Sequence, residues 1–222
     1  MVAKLSVAVD QRHARRALTA DEAGRLIDAA SRSGTEYRGL TGCDRHHLYL
    51  LALATAFRRE ALASLTPEAF DFDAIPPVVI LSAAANKNGK RQRQPLPDGV
   101  VDAMRGYLIG KPKGKPVFAG TWSKGNTADM IRLDMVDADI PPTTTDPDGT
   151  ELHFDFHGLR HSVLTLLGQH GADLRTIQEI AGHGSPIMTA RYAHKTETNL
   201  AAAMNAVPRF APIAAASESP RV

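Results

Sequence analysis

Tyr192 stands nine positions after His183, and upstream of both lies the run His157-Gly158-Leu159-Arg160-His161. A tyrosine hydroxyl has an ordinary pKa of about 10, so forming its phenolate at neutral pH costs roughly 4 kcal/mol and needs a base or nearby cations. A histidine can take that proton, and arginines can hold phosphate oxygens through forked, permanently charged hydrogen bonds. Phosphoryl transfer asks little more of a protein than positioning and charge neutralisation. These residue types are therefore the parts needed to attack a phosphodiester without a metal, leaving a phosphotyrosine that stores the bond energy for rejoining.

The spacing says what must hold these parts. His157 and Arg160 fall one helical turn apart on one face, with Asp155 before them as an N-cap. His183 follows Gly182 at the end of one helix and precedes Ser185-Pro186, an N-cap and N1 pair for the next. Tyr192 lies on that next helix, one turn after Met188. Blander roles exist for each: a capping histidine, a surface arginine, a tyrosine in an apolar core. His153, His157 and His161 recur every four residues, as metal ligands on a helix would. However, a helix starting at Asp155-Phe156 leaves His153 outside, and no cysteine or H-E-x-x-H arrangement completes a ligand set, so no metal or other cofactor is expected.

The surrounding pattern is mostly helical. Residues 1–18 form a basic, poorly patterned leader, expected to be flexible. Thr19-Ala20-Asp21-Glu22 is a capping box that opens a first helix near residue 20. Further helices are expected over 47–57, 60–65, 97–108, 126–137, 156–170, 174–181, 186–194 and 197–206. Residues 78–81 and 91–96 flank the turn residues Asn86-Lys87-Asn88-Gly89 and make a β-hairpin. The fold class is thus mainly α with a small antiparallel sheet. The polar, acidic, proline-rich stretch at 140–152 suits a solvated loop facing away from nucleic acid, and 211–222 suits a disordered tail. The intervening residues 19–210 are expected to form the folded unit, which the resemblance below implies is catalytic.

Composition narrows the setting. The 222 residues are ordinary for a globular chain, and the lone Cys43 can form no internal disulfide, which fits a reducing cytoplasm. The longest uncharged apolar run, 48–57, is too short to span a membrane and suits a buried helix. No secretion signal is recognisable at the N-terminus. Net charge is only +2, but between residues 87 and 115 eight lysines and arginines face only Asp98 and Asp102. Such a basic segment, with Lys90, Arg91 and Arg93 at its start, is suited to tracking DNA phosphates.

Four boxes in register resemble the tyrosine recombinase or phage-type integrase family. These are TAFRREALASLTPEAFDFD at 55–73, the hairpin lysine Lys87, HGLRH at 157–161, and AGHGSPIMTARYAH at 181–194. The resemblance runs from about residue 19 to 210. It implies the fold of that family's catalytic domain and a catalytic set of Arg58, Lys87, His157, Arg160, His183 and the nucleophile Tyr192. Arg58 rather than Arg59 fits, because Leu62 and Leu65 then follow at four and seven residues. Lys87 corresponds to a mobile lysine that protonates the departing 5′ oxygen, with Lys90 as its rival. The resemblance gives His157 the tyrosine proton and pairs Arg160 with Arg58 across the phosphate.

Two positions depart from the family pattern: the usual glycine before the arginine box is Ala56, and the usual glutamate after it is Ala61, with Glu60 in a neighbouring slot. That departure motivates a rival reading, a DNA-binding protein of the same fold whose catalysis is impaired or lost. The main reading implies double-stranded DNA as partner, a tetramer on paired sites from a chain monomeric in solution, no membrane association, and a nucleoid-associated cytoplasmic location. It also implies a separate DNA-clamping domain, so that the chain is either a fragment or a short member.

Overall fold

The computed structural model describes residues 14–192. The expected helix at 197–206, the tail at 211–222 and most of the leader lie outside the described residues. Thr19 does close a capping box with Glu22 and opens α1 (Ala20–Arg32). The next helix, α2 (Gly42–Thr55), begins five residues earlier than expected, because Thr41 and Asp44 make a second capping box. The apolar run inside it is buried as anticipated, with Leu48, Tyr49 and Leu51 at 0% exposure.

Arg45 on α2 fixes how these helices pack. Its guanidinium grips Asp134 of α5 (Thr127–Asp137) through Nε at 2.8 Å and Nη2 at 2.9 Å. Its remaining donors reach the Thr35 and Leu40 carbonyls and Ser33 Oγ, while the Tyr49 hydroxyl donates to Asp134 at 2.7 Å. Every donor of a wholly buried cation is thus satisfied, the condition under which a buried pair does not destabilise a fold. Burial and the neighbouring Asp134 carboxylate both push the Tyr49 hydroxyl well up.

After α2 the chain reverses at Ala56 and forms the short α3 (Arg59–Ser64), a 3₁₀ turn at Pro67–Ala69, and β2 (Phe70–Asp71). β2 pairs with β3 (Val78–Leu81), which pairs in turn with β4 (Gln92–Pro95) in an antiparallel sheet. Helix α4 (Asp98–Tyr107) follows, then a 3₁₀ turn at Trp122–Lys124 and α5.

The stretch at 140–152 is not the solvated loop its composition suggested. β5 (Thr143–Thr145) and β6 (Glu151–His153) form a hairpin around a turn in which Asp146 N–H donates to the Thr150 carbonyl at 2.9 Å. Its second partner comes from the far end of the chain: β1 (Ala14–Arg15) adds parallel to β6, pairing Ala14 with Leu152 and Arg15 with His153. The described structure therefore holds two small sheets instead of one, and the ordered fold starts before Thr19.

Helix α6 (Phe156–Gln169) joins the parts, packing on α2, α5 and α7 (Leu174–Ala181), with α8 (Pro186–Ala190) against α7. Its Leu159 belongs to the main core with Leu26, Leu48, Trp122 and Ile131, whereas its Leu164 belongs to a satellite core with Ala56, Ile177, Ala181 and Tyr192. Gly158 lies where a Cβ would come within 2.6 Å of the Phe154 ring, so glycine leaves room for that ring against the first turn of α6.

Ala56 caps α2 in the left-handed region, at φ 55° and ψ 21°. An L-residue with a Cβ pays about 1 kcal/mol there that glycine does not. Ala56→Gly is expected to raise unfolding stability by about 1 kcal/mol in urea titration, with unchanged or lower stability contradicting this account.

Candidate active site

A cleft of about 820 Å³ opens between the β3–β4 connection, the start of α3, the N-terminal ends of α5 and α6, and the α7–α8 turn. All six residues singled out by the sequence pattern, Arg58, Lys87, His157, Arg160, His183 and Tyr192, line it. Lys90, Arg91 and Arg93 do not; they are exposed on the same hairpin, outside the cleft. That difference separates Lys87 from its rival Lys90.

Arg160 is the fixed point. It is 4% exposed, and its guanidinium donates to the Ala56 carbonyl from Nη1 and to the Ala181 carbonyl from Nη2, both at 2.5 Å. Both acceptors are at helix C-termini: Ala56 caps α2, and Ala181 ends α7 just before the left-handed Gly182. Terminal carbonyls have no partner within their own helix and lie at the negative end of its dipole, so they suit a cation. Burial, then the charge of Arg58, lowers the Arg160 pKa to about 10, opposed by Tyr192, and it stays charged at neutral pH.

Arg58 reaches the cleft because the chain turns sharply at Ala56. Phe57 buries in the core, and Arg58 occupies the N-cap position of α3, where its side chain makes no capping bond. Leu62 and Leu65 are buried below it, as the choice of Arg58 over Arg59 requires. Glu60 pairs with Arg59 at 2.7 Å, and the Arg58 side chain makes no hydrogen bond or ion pair with another described residue. Burial lowers its pKa, against the pull of Glu60. Two guanidinium groups thus face one cleft without a carboxylate of their own, a costly arrangement unless an anion completes it.

The histidines complement them. His157 is exposed to the cleft, where burial by the surrounding protein, then the charges of Arg15, Arg160 and Arg58, push its imidazole down to about 4 against Asp155. His183 is also pushed down to about 4, by burial and then Arg160, Arg58 and Arg191. Its Nδ1 meets Thr189 Oγ1 at 3.0 Å, leaving Nε2 for a ligand. His153 falls in β6, so the three histidines spaced by four do not share a helix face.

Tyr192 is 7% exposed and packs in the satellite core, its ring 6.4 Å from that of His183. Burial raises its pKa, while Arg191, Arg160 and Arg15 pull it down. The hydroxyl lies 3.4 Å from Nδ1 of His161. His161 was visible in the sequence as the last residue of HGLRH, one turn beyond His157, but gave no sign of facing the tyrosine.

The β3–β4 connection is tied to the same helix end. Gln92 on β4 donates to the Glu179 and Ile180 carbonyls at 3.2 and 3.0 Å, and its Oε1 accepts from Asn86 at 3.3 Å. Asn88 reaches the Gly182 carbonyl at 3.5 Å. A Cβ on Gly182 would meet Gln92 at 3.0 Å in a left-handed conformation, so glycine serves both the turn and the approach. Three side chains from elsewhere in the chain therefore cover the end of α7 and hold Lys87 and His183 on one cleft.

Comparison with known proteins decides the family. The sequence model of the phage integrase family matches residues 16–199. The chain belongs to the phage integrase family. Among its relatives, the tyrosine recombinase XerC of Mycobacterium leprae is 30% identical over 180 residues, covering 78% of this chain and 57% of that protein. The chain thus spans little more than half of that relative. This family member also shares its fold with the catalytic domain of bacteriophage HP1 integrase (TM-score 0.60, 21% identity, covering 87% of this chain and 96% of that one). The XerH site-specific recombinase bound to its difH substrate matches with TM-score 0.63 and 18% identity, covering 87% of this chain and 55% of that one. Ala56 and Ala61 are the two positions of the arginine box at which the sequence departs from the expected pattern. Ala56 still adopts the left-handed turn and still offers its carbonyl to Arg160.

The two depressed imidazoles bear on stability. Unfolded histidines titrate near 6.5 and these folded ones near 4, so as pH falls from about 6.5 to 4 the unfolded state takes up protons first and stability drops. The urea midpoint should fall over that window, and less steeply in a His157→Asn/His183→Asn variant. Identical slopes would contradict the assigned environments.

Proposed function

We propose that this chain cuts and rejoins DNA through a covalent 3′-phosphotyrosine, as a site-specific recombinase or integrase. The observation that carries the reading is the pair Arg58 and Arg160, facing the cleft that also holds Tyr192 and two neutral histidines, without a carboxylate between them. A phosphodiester placed there accepts forked hydrogen bonds from both guanidinium groups. The Tyr192 oxygen attacks phosphorus, its proton passes to a histidine, the bond to the 5′ oxygen breaks, and Lys87 protonates the leaving oxygen. A 5′ hydroxyl reverses the sequence and restores the phosphodiester. His157 suits the proton relay by its neutral state, and His183 donates to a non-bridging oxygen. Each donor to the transition-state charge contributes about 3 to 4 kcal/mol.

Double-stranded DNA is the substrate in this reading, and Lys90, Arg91 and Arg93 contact its backbone beside the cleft. The active assembly is a tetramer on paired sites, formed from chains monomeric in solution. No helix among the described residues is long and apolar enough to cross a membrane, consistent with a cytoplasmic, nucleoid-associated protein. The absence of a glutamate at Ala61 supports a second reading, a DNA-binding member with lost catalysis, because Arg58 then has no carboxylate to hold it.

Covalent trapping separates the two. Duplexes bound from a random-sequence pool are incubated with the chain and run on a denaturing gel. A protein–DNA adduct is expected, absent in Tyr192→Phe, although that variant retains DNA binding. DNA binding by the wild type without an adduct would favour the second reading, and an adduct in Tyr192→Phe would exclude this nucleophile. The adduct should also persist in excess chelator, because Arg58, Arg160 and Lys87 supply the charge that a divalent ion supplies in metal-dependent nucleases. Loss with chelator and rescue by magnesium would contradict that.

A further inference from the structure

Arg15 enters the cleft from a segment that the sequence pattern assigned to a flexible leader. Three contacts fix its backbone. β1 pairs Arg15 with His153, Arg16 N–H donates to the His153 carbonyl at 3.0 Å, and Leu18 N–H donates to Ser162 Oγ of α6 at 2.8 Å. Successive side chains on a strand face opposite ways. Arg16 accordingly turns inward, buried against Glu22 and the Pro141 carbonyl, while Arg15 lines the cleft together with Arg58, His157, Arg160 and Tyr192.

The only carboxylate engaging Arg15 among the described residues holds it loosely. Nε and Nη2 each lie 3.4 Å from an oxygen of Asp155, longer than the 2.7 to 2.9 Å typical of charge-assisted hydrogen bonds. The two side chains are 42% and 41% exposed, and exposed pairs contribute little to stability. Asp155 has other employment: its Oδ1 accepts from Gly158 N–H at 2.9 Å and caps α6. Releasing Arg15 therefore leaves neither the carboxylate nor the helix end unsatisfied. The Arg15 charge is already felt at both His157 and Tyr192.

We propose that Arg15 is a third DNA-binding guanidinium of this cleft, which leaves Asp155 to hold a backbone phosphate of the strand being cut, beside Arg58 and Arg160. The proposal rests on the strand-transfer reading above and adds to it a residue from outside the four sequence boxes. The exchange is favourable because a phosphate offers a fork-matched, doubly hydrogen-bonding partner in place of a stretched, exposed pair.

Two variants test it. Arg15→Gln removes the charge, and Asp155→Asn frees Arg15 while retaining a good N-cap. Binding is read with duplexes bound by the wild-type chain from a random-sequence pool, across a salt series, and adduct formation is followed on the same duplexes across pH. Arg15→Gln should weaken binding about ten-fold and lower the slope of log affinity against log salt by about one. Its acid limb of adduct formation should move to higher pH, because His157 loses a cationic neighbour, and Arg15→Lys should restore part of the salt slope. Asp155→Asn should bind as tightly as wild type or more tightly. Unchanged affinity and salt slope in Arg15→Gln would overturn the proposal. So would equal weakening in Arg15→Gln and Asp155→Asn, which would make Arg15 a staple for α6. Failure of the wild-type chain itself to bind or to form an adduct would count against the strand-transfer reading instead.

Discussion

The site depends on one buried cation placed against two helix ends. Arg160 can donate to the Ala56 and Ala181 carbonyls only if α2 stops at Thr55 and α7 stops at Ala181, and only if α6 lies between them. The left-handed residues Ala56 and Gly182 bring those stops about. Since each turn also aims the next residues into the cleft, the interactions that anchor Arg160 place Arg58 on one side and His183 on the other. The carbonyls orient the guanidinium without neutralising it, so its charge remains available to an anion, which a carboxylate partner would have cancelled.

The same helix end links the rest of the cleft. The last carbonyls of α7 are covered by Gln92 and Arg160, from a strand and a helix far away in the chain. The hairpin that carries Lys87 and the turn that carries His183 are thus tied to one helix end. Tyr192 packs against this assembly through Ala56, Ile177 and Ala181, so its ring rests on the same two helix ends that hold Arg160. The Tyr192 hydroxyl lies 3.4 Å from His161 Nδ1, longer than the range in which a base takes a proton directly.

What could be read from the sequence was local. The Thr19 capping box, the Asp155 cap, the span of α7 and the strand at 78–81 all follow from short-range spacing, and the fold displays them; the six residues that the family resemblance picked out line one cleft. What could not be read depends on partners distant in sequence. Thr143–Thr145 is a strand because Glu151–His153 and Ala14–Arg15 complete its sheet, although its own composition suits a loop. Arg45 and Asp134 look like surface charges until the fold brings them together across 89 positions. The contacts of Arg15, Gln92 and His161 with the cleft were not legible for the same reason. Even Thr41, a local signal, was hidden by the polar residues Asp44 to His47 that follow it.

The most direct test of the central claim is a crystal structure of the chain with orthovanadate, whose oxygens mimic those of a phosphate under attack. The oxyanion should lie within hydrogen-bond distance of both Arg58 and Arg160, with Arg160 still donating to the Ala56 and Ala181 carbonyls. An oxyanion bound elsewhere, or an Arg160 side chain that leaves those carbonyls to reach it, would contradict a phosphate site assembled in advance by two helix ends.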